Sequence, residues 1–328
     1  MCRFDPGFLE CRLCPRECRV NRFEPGKGGY AGFCRQNHEL RVAYIGPHFG
    51  EEPPLTGTRG SGTVFFSGCS LRCSFCQNYQ ISRDGMGRTM ELRAVFKSIV
   101  EMIEKKKVHN INFVTPDHFF PYVFRLVPML RKEGCELPIV YNLSGYQSVE
   151  MLRIANEYSD IYLPDFKYSD PALSARLSKC KNYPEVALQA IAEMIKQKGF
   201  LDTFETGAPL ARKGVLVRHL ILPGKVQNSI NALTTLFLEF GPLLPISLMS
   251  QYTPVVPAKD PDLNRTLTPE EFDQVYSHAL SLGFERLFVQ FPEKNHSQDQ
   301  FFVPDFTRDK PFPTPASHDS QCSSGNNP

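Results

Sequence analysis

The sequence predicts an α/β fold: a partial (β/α)6 TIM-like barrel with a small N-terminal cysteine-rich metal-binding element in front of it. Three observations carry this reading. From residue 63 onward, short β-branched and aromatic runs alternate with stretches of helical periodicity, the signature of parallel βαβ units. The first of these runs ends in a loop bearing three cysteines, and a separate group of four cysteines precedes it. With 328 residues, the chain has room for one barrel of about 200–250 residues plus extra segments. The expected division is a four-cysteine element over 1–37, an extended connector over 38–62, the core barrel over 63–292, and a C-terminal segment over 293–328.

The elements follow in order. Strands are expected at 63–68, 110–115, 139–143, 161–167, 215–222 and 246–252, with a last short one at 286–290. The proline at 164 is an irregularity of the kind found near strand ends. The first helix, near 90–107, has Leu92, Val95, Phe96, Ile99, Val100 and Ile103 at helical spacing and ends in Lys105-Lys106-Lys107, which suits a helix C-terminus. Further helices are expected near 120–134, 147–158, 171–179, 184–198 and 227–240. Another starts at Thr268-Pro269-Glu270-Glu271, an N-cap with proline at the first helical position, and runs to about 282. Residues 38–62, with Gly46, Pro47, Gly50, Pro53 and Pro54, read as a connector over the surface. There His48 and Glu51 are taken as part of a solvated loop. From about residue 305, Pro, Ser, Asp and Asn dominate, and disorder is expected.

Composition narrows the class. A 41% hydrophobic and 12% aromatic content suffices for a large core, and a formal charge of +2 offers no argument for nucleic acid or an anionic membrane surface. No apolar run is long enough for a transmembrane helix. The first residues, Met1 to Pro6, lack the apolar stretch of a signal peptide, so the expected location is the cytoplasm. Eleven cysteines in a reducing compartment point to metal or catalysis rather than disulfides. Cys2, Cys135, Cys180 and Cys322 stand outside the groups and are unassigned.

Cys69, Cys73 and Cys76 have C-x3-C-x2-C spacing within Gly68-Cys69-Ser70-Leu71-Arg72-Cys73-Ser74-Phe75-Cys76-Gln77-Asn78. Three thiolates this close grip three corners of one iron–sulfur cluster. An electron-transfer cluster normally takes a fourth protein thiolate, yet no further cysteine follows before Cys135. One iron is left for an outside ligand. A zinc site with a remote fourth ligand or plain buried thiols are the bland alternatives, though zinc ligands usually come in pairs. In the front group, Cys11, Cys14, Cys18 and Cys34 suit zinc or an auxiliary cluster. Glycines 26, 28, 29 and 32 would turn the chain so that Cys34 returns to the other three.

The three-cysteine loop, with Phe75 before its last cysteine, resembles that of the radical S-adenosylmethionine (SAM) enzymes. Beyond it, Asp165-Phe166-Lys167-Tyr168, the run from Arg218 to Gly224, and Met249-Ser250-Gln251-Tyr252 are similar to the pyruvate formate-lyase activating enzyme-related, uncharacterised branch of that superfamily. The resemblance implies a [4Fe-4S] cluster on Cys69, Cys73 and Cys76 that cleaves SAM to a 5′-deoxyadenosyl radical. By position it makes Asp165, Lys167 and Arg218 SAM ligands, puts Phe75 near the adenine and places Asn78 in the cofactor site. Where the family commonly has Gly-Gly-Glu after the second strand, this chain has Thr115-Pro116-Asp117-His118, so Thr115 and Asp117 are the candidates for SAM's amino group. An oxidoreductase fed by an external flavodoxin- or ferredoxin-like donor follows, its substrate a glycyl-radical enzyme, another peptide or a small molecule. The alternative is a non-catalytic iron–sulfur or zinc redox sensor or assembly protein, which would tolerate loss of Lys167.

Overall fold

In the computed structural model, which describes residues 6–26, 31–292 and 303–312, the apolar runs become parallel strands. In chain order the strands are β1 (Arg41–His48), β2 (Ser61–Phe66), β3 (Arg88–Thr89), β4 (Ile111–Val114), β5 (Ile139–Leu143), β6 (Ile161–Pro164), β7 (Gly214–Val215), β8 (Val217–Leu220), β9 (Ile246–Met249) and β10 (Leu287–Val289). β2, β4, β5 and β6 pair in that order, all parallel. Helices Leu92–Lys106, Phe120–Lys132 and Val149–Ala155 make the crossovers between them. Every residue of β2 and β4 is buried, as expected where helices cover one face of a parallel sheet and the barrel interior the other. Val95, Ile99 and Met102 of the first crossover helix, and Phe120, Val123, Phe124, Val127 and Leu130 of the second, fill the layer between.

The expected strand at 215–222 is divided. β7 pairs with β6, whereas β8 departs to pair with β9, which in turn pairs with β10. Because β6 ends at Pro164, which has no N–H for the ladder, the junction is made just beyond it. The Phe166 N–H donates to the Arg218 carbonyl at 2.8 Å, and Asp165 bridges Arg218 in parallel. The parallel strands thus continue from β2 to β10 as the partial barrel that the sequence predicts.

Two expectations need correcting. The connector over 38–62 is not simply laid over the surface: Arg41–His48 forms β1, antiparallel to β2, and covers the barrel's leading edge. Pro47 is tolerated because β3 pairs only with Arg41 and Val42, so beyond them β1 is an edge strand. The tail is also ordered further than 305. Phe306 and Phe312 pack on Phe65 of β2 with ring centroids 5.7 and 5.2 Å away, and the Phe306 N–H donates to Gln80 Oε1 at 2.8 Å. Two aromatic anchors outweigh a polar composition there, while the rest of the expected disorder, over 313–328, lies outside the described residues. Among the described residues no helix is long and apolar enough to cross a membrane.

The helix Pro269–Leu282 starts as predicted. Thr268 Oγ1 accepts from the Glu271 N–H at 3.2 Å and Glu271 returns the bond to the Thr268 N–H at 3.0 Å, a reciprocal cap. Glu271 also accepts from Arg265 and from the Gly224 N–H at 2.7 Å. The hydrogen bond from Arg265 leads the effects that hold its carboxyl down at about 2, against an ordinary 4.5. A depressed carboxylate stabilises the fold above its ordinary value, and that stability is lost as pH falls through the folded value. Glu271→Gln should therefore cost about 1–3 kcal/mol at pH 7, and denaturant titrations should show the gap to wild type closing between pH 4.5 and 2.

Candidate active site

The loop after β2 is built by two left-handed residues, Gly68 (φ +87°) and Arg72 (φ +51°). At Gly68 glycine is required: a Cβ there would sit 2.5 Å from Gln36 Cγ and 2.8 Å from the Cys34 carbonyl oxygen. The loop thus lies flush against the front cysteine element. Each of its three sulfurs accepts one hydrogen bond, from a different place in the fold. The Leu71 N–H donates to Cys69 (3.4 Å), the Ser178 hydroxyl to Cys73 (3.0 Å) and the Ser82 hydroxyl to Cys76 (3.3 Å). Burial, then the charge of Cys73, pushes the Cys69 and Cys76 thiols up. Such thiols become ligands only when a cation draws off the proton.

The three cysteines open onto a cavity of about 220 Å³ at the C-terminal ends of the strands, where barrels of this type carry their chemistry. Phe75 and Asn78 line it, as do Thr115, Asp165, Lys167 and Arg218 from successive strand ends. Lys167 Nζ donates to Asp165 Oδ2 at 2.5 Å. Burial opposes the lysine's charge, but Asp165, with the nearby sulfurs of Cys73 and Cys76, overcomes it and holds the ammonium firmly protonated. Thr115 has φ +54°, a left-handed geometry that is a genuine outlier for a β-branched residue and is disfavoured again by the following proline. Strain of this kind gathers at functional positions.

Arg218 lies in the cavity but is not free to meet an anion. Its Nε donates to Glu52 Oε1 at 2.9 Å, and its Nη2 bonds both Glu51 and Glu52. All three side chains are buried, with 9%, 5% and 7% of their surfaces exposed. Glu51 also accepts from Asn112 at 3.0 Å. Burial works to raise the Glu52 carboxyl, but Arg218's charge prevails and lowers it. The solvated loop expected at His48 and Glu51 is therefore replaced by a buried charge cluster. Sequence reading missed it because the pairing is with a strand more than 160 residues away; the adjacent Glu51-Glu52 was the one local signal. Asp117 departs from expectation as well: it is fully buried and does not line the cavity.

The front cysteines lie beside this loop. Cys11 and Cys34 are buried and Cys14 and Cys18 half-buried. Gly32 turns there with φ +61°, as expected of a glycine in this stretch, whereas residues 27–30, with the glycines at 28 and 29, lie outside the described residues. Arg16 latches the element down, donating to the carbonyls of Ser70 (3.0 Å), Ser178 (2.9 Å) and Lys179 (2.6 Å). Cys180 is a buried thiol that donates to Asn182 at 3.3 Å.

The radical SAM superfamily model matches residues 63–221, from β2 through β8. Residues 63–221 therefore carry a radical SAM domain. A radical SAM domain implies an iron–sulfur cluster, SAM, reductive cleavage of SAM at that cluster and an external electron donor. The chain is similar to an uncharacterized protein of Methanocaldococcus jannaschii, MJ0674, with 29% identity over 290 residues, covering 86% of this chain and 77% of the relative. It is also similar in shape to HydG, a maturase of the [FeFe]-hydrogenase (TM-score 0.49, 11% identity, 74% of this chain and 53% of that one). A radical SAM methyltransferase, TsrM of Kitasatospora setae, gives TM-score 0.46 and 12% identity over 71% of this chain and 54% of its own. The chain spans about half the length of each of these two structures.

Removing Arg218 alone would leave two carboxylates buried without a counter-charge. Arg218→Ala should cost about 3–5 kcal/mol, measured by urea unfolding. Its stability should rise as pH is lowered toward the carboxylate range, because protonation then discharges the orphaned pair; wild type should show no such gain.

Proposed function

We propose that Cys69, Cys73 and Cys76 hold a [4Fe-4S] cluster with one iron open to SAM, and that the enzyme abstracts hydrogen from a peptide or small-molecule substrate. The observation that carries this reading is the set of three sulfurs, each already given one hydrogen bond, at the mouth of the strand-end cavity. The donor set fits the group: one buried and two half-buried thiols, held by N–H and O–H dipoles that favour charge on sulfur. When bound, cluster and SAM together supply a 5′-deoxyadenosyl radical.

The protein's part is binding, orientation and exclusion of water. Lys167, kept charged by Asp165, faces SAM's carboxylate. Arg218 acts instead as a positioning residue for Glu51 and Glu52, which together carry one more charge than it neutralises. That surplus suits the amino or sulfonium cation of SAM and takes over from the absent Gly-Gly-Glu. Phe75, Phe65, Val114, Leu220 and Phe312 make the apolar walls of the cavity. Thr115 and Asn78 lie at its rim for contacts to the cofactor.

The activating-enzyme resemblance favours a glycyl residue of a partner enzyme as the hydrogen donor, with a flavodoxin- or ferredoxin-like protein as electron source in the cytoplasm. Cys11, Cys14, Cys18 and Cys34 belong, on this reading, to a second metal group, zinc or iron–sulfur, in an N-terminal element that precedes the barrel.

The test is anaerobic reconstitution followed by dithionite and SAM, with 5′-deoxyadenosine read by chromatography. Wild type should form it, the triple variant Cys69→Ala, Cys73→Ala, Cys76→Ala should not, and Lys167→Ala should lower the rate at least about tenfold, in line with a lost charge-assisted contact. An intact wild-type cluster that yields no product, with a spectrum unmoved by SAM, would sink the proposal.

A further inference from the structure

Residues 305–312 fold into a loop that closes on itself. The Asp305 N–H donates to the Pro311 carbonyl at 2.9 Å, and the Arg308 N–H to the Asp305 carbonyl at 3.1 Å. Asp305 Oδ1 in turn accepts from the Thr307 N–H at 3.1 Å and from its hydroxyl at 2.6 Å. Among the described residues, the backbone-to-backbone hydrogen bonds of this loop all stay inside it. Toward the barrel it offers the bond from the Phe306 N–H to Gln80 Oε1, at 2.8 Å, and two rings. Phe306 and Phe312 stand 6.0 Å apart and both lie on Phe65, at 5.7 and 5.2 Å. Phe312 also meets Tyr44 at 5.7 Å and His48 at 4.2 Å. Such a loop can leave the sheet without breaking a bond of the strand ladders, and local opening of this kind is inexpensive.

The place it occupies is part of the candidate active site. Phe312, His48 and Phe65 line the same cavity as Cys69, Cys73, Cys76 and Lys167. With Phe312 in place that cavity holds about 220 Å³, less than the ~300–1,000 Å³ of ordinary ligand pockets. On the reading above it must admit both SAM and the reacting part of a substrate. The seat also suits its present occupant imperfectly. Among the described residues His48 Nδ1 is buried without a hydrogen-bond partner, and the ring lying against His48, that of Phe312, offers only carbon. A buried polar atom left unpaired costs stability. An occupant with a polar group beside its ring would satisfy His48 where phenylalanine does not.

We propose that Tyr44, His48 and Phe65 form a seat on the substrate side of the cavity for an aromatic side chain carried by a peptide loop. The chain's own Phe312 holds the seat until such a peptide displaces the loop 305–312. The occupant is argued from what sits there now, an aromatic ring on a hydrogen-bonded turn of polypeptide. The proposal rests on the peptide branch of the function proposed above, and it adds that the C-terminal loop competes with the substrate for one place. Being part of the same chain, the loop competes at an effective concentration far above that of a free peptide. Entry therefore selects a peptide that binds better than Phe312 does, and the unpaired His48 nitrogen supplies the means.

The probe is a fluorescein-labelled peptide with the sequence of residues 303–312. Its anisotropy is read with the full chain, either wild type or carrying Phe306→Ala and Phe312→Ala. The emptied seat should bind the probe at least about tenfold more tightly than wild type does, because the tethered competitor is gone. Replacing both phenylalanines of the probe by alanine should abolish binding. N-acetylphenylalanine amide should displace the probe far less well than the unlabelled peptide, and equal displacement would overturn the peptide assignment in favour of a small aromatic molecule. On the reconstituted protein, saturating SAM should leave the probe's affinity unchanged. Mutually exclusive binding would overturn the proposal, because the seat would then belong to the cofactor pocket. Equal binding to wild type and variant, or none to either, would also overturn it and make Phe312 a permanent wall. If the double variant does not fold, 4-fluorophenylalanine at position 312 of the otherwise native chain decides. Excess unlabelled peptide should then shift its ¹⁹F resonance to that of a solvent-exposed ring, and an unmoved resonance refutes the proposal. Binding is read without turnover, so a failed seat is distinguished from failed radical chemistry, which 5′-deoxyadenosine reports.

Discussion

One guanidinium straps the barrel across its cavity. Arg218 belongs to β8, late in the parallel array, whereas Glu51 and Glu52 belong to the segment that leads into β2 at its start. Among the described residues the array does not close on itself by hydrogen bonds, and this charge cluster joins β8 to the segment before β2 through the cavity. Taking three charges out of water is expensive, and such a cluster persists only when its geometry is complete. Glu51 is therefore also held by Asn112 of β4. The shape of the cavity, and the distance between the cysteine loop and the far strands, depend on this strap.

Much of the barrel was legible in the sequence because its signals are local. Periodicity located the crossover helices, apolar runs located the parallel strands, and Thr268 with Glu271 announced a helix start that the structure builds bond for bond. The helix expected over 147–158 becomes Val149–Ala155 followed by a three-ten turn at Asn156–Tyr158, a difference within its last turns. The cysteine loop was legible from its spacing, its placement after a strand and its neighbours together. What stayed hidden depends on distant partners. β1 contains Gly46 and Pro47 and looks like a loop until β2 is beside it; Phe306 and Phe312 look like strays in a polar tail until Phe65 is beneath them. Asp117 reads as a cofactor contact by position in a motif, and only its burial separates it from the cavity.

The two cysteine groups are mechanically one piece. Arg16 reaches from the front element to the carbonyl of Ser70, inside the barrel's cysteine loop, and to that of Ser178. The hydroxyl of Ser178 in turn bonds Cys73. Its guanidinium also lies 3.8 Å over the Phe33 ring, one residue before Cys34. Backbone carbonyls cannot rotate out of such contacts without moving the chain. A displacement of the front element is thus delivered to the second cysteine of the loop within a few bonds.

The three sulfurs of that loop are not electronically equivalent. Cys69 faces a backbone N–H, a dipole fixed by the chain. Cys73 and Cys76 face hydroxyls, which can turn. At Cys73 the turning has a defined alternative, because the Ser178 hydroxyl also lies 2.6 Å from the Tyr168 hydroxyl. A rotation of one proton about the serine C–O bond exchanges its hydrogen bond to sulfur for one to the tyrosine. One sulfur of the loop thus carries a dipole fixed by the backbone, and another a dipole that depends on the position of a single hydrogen atom.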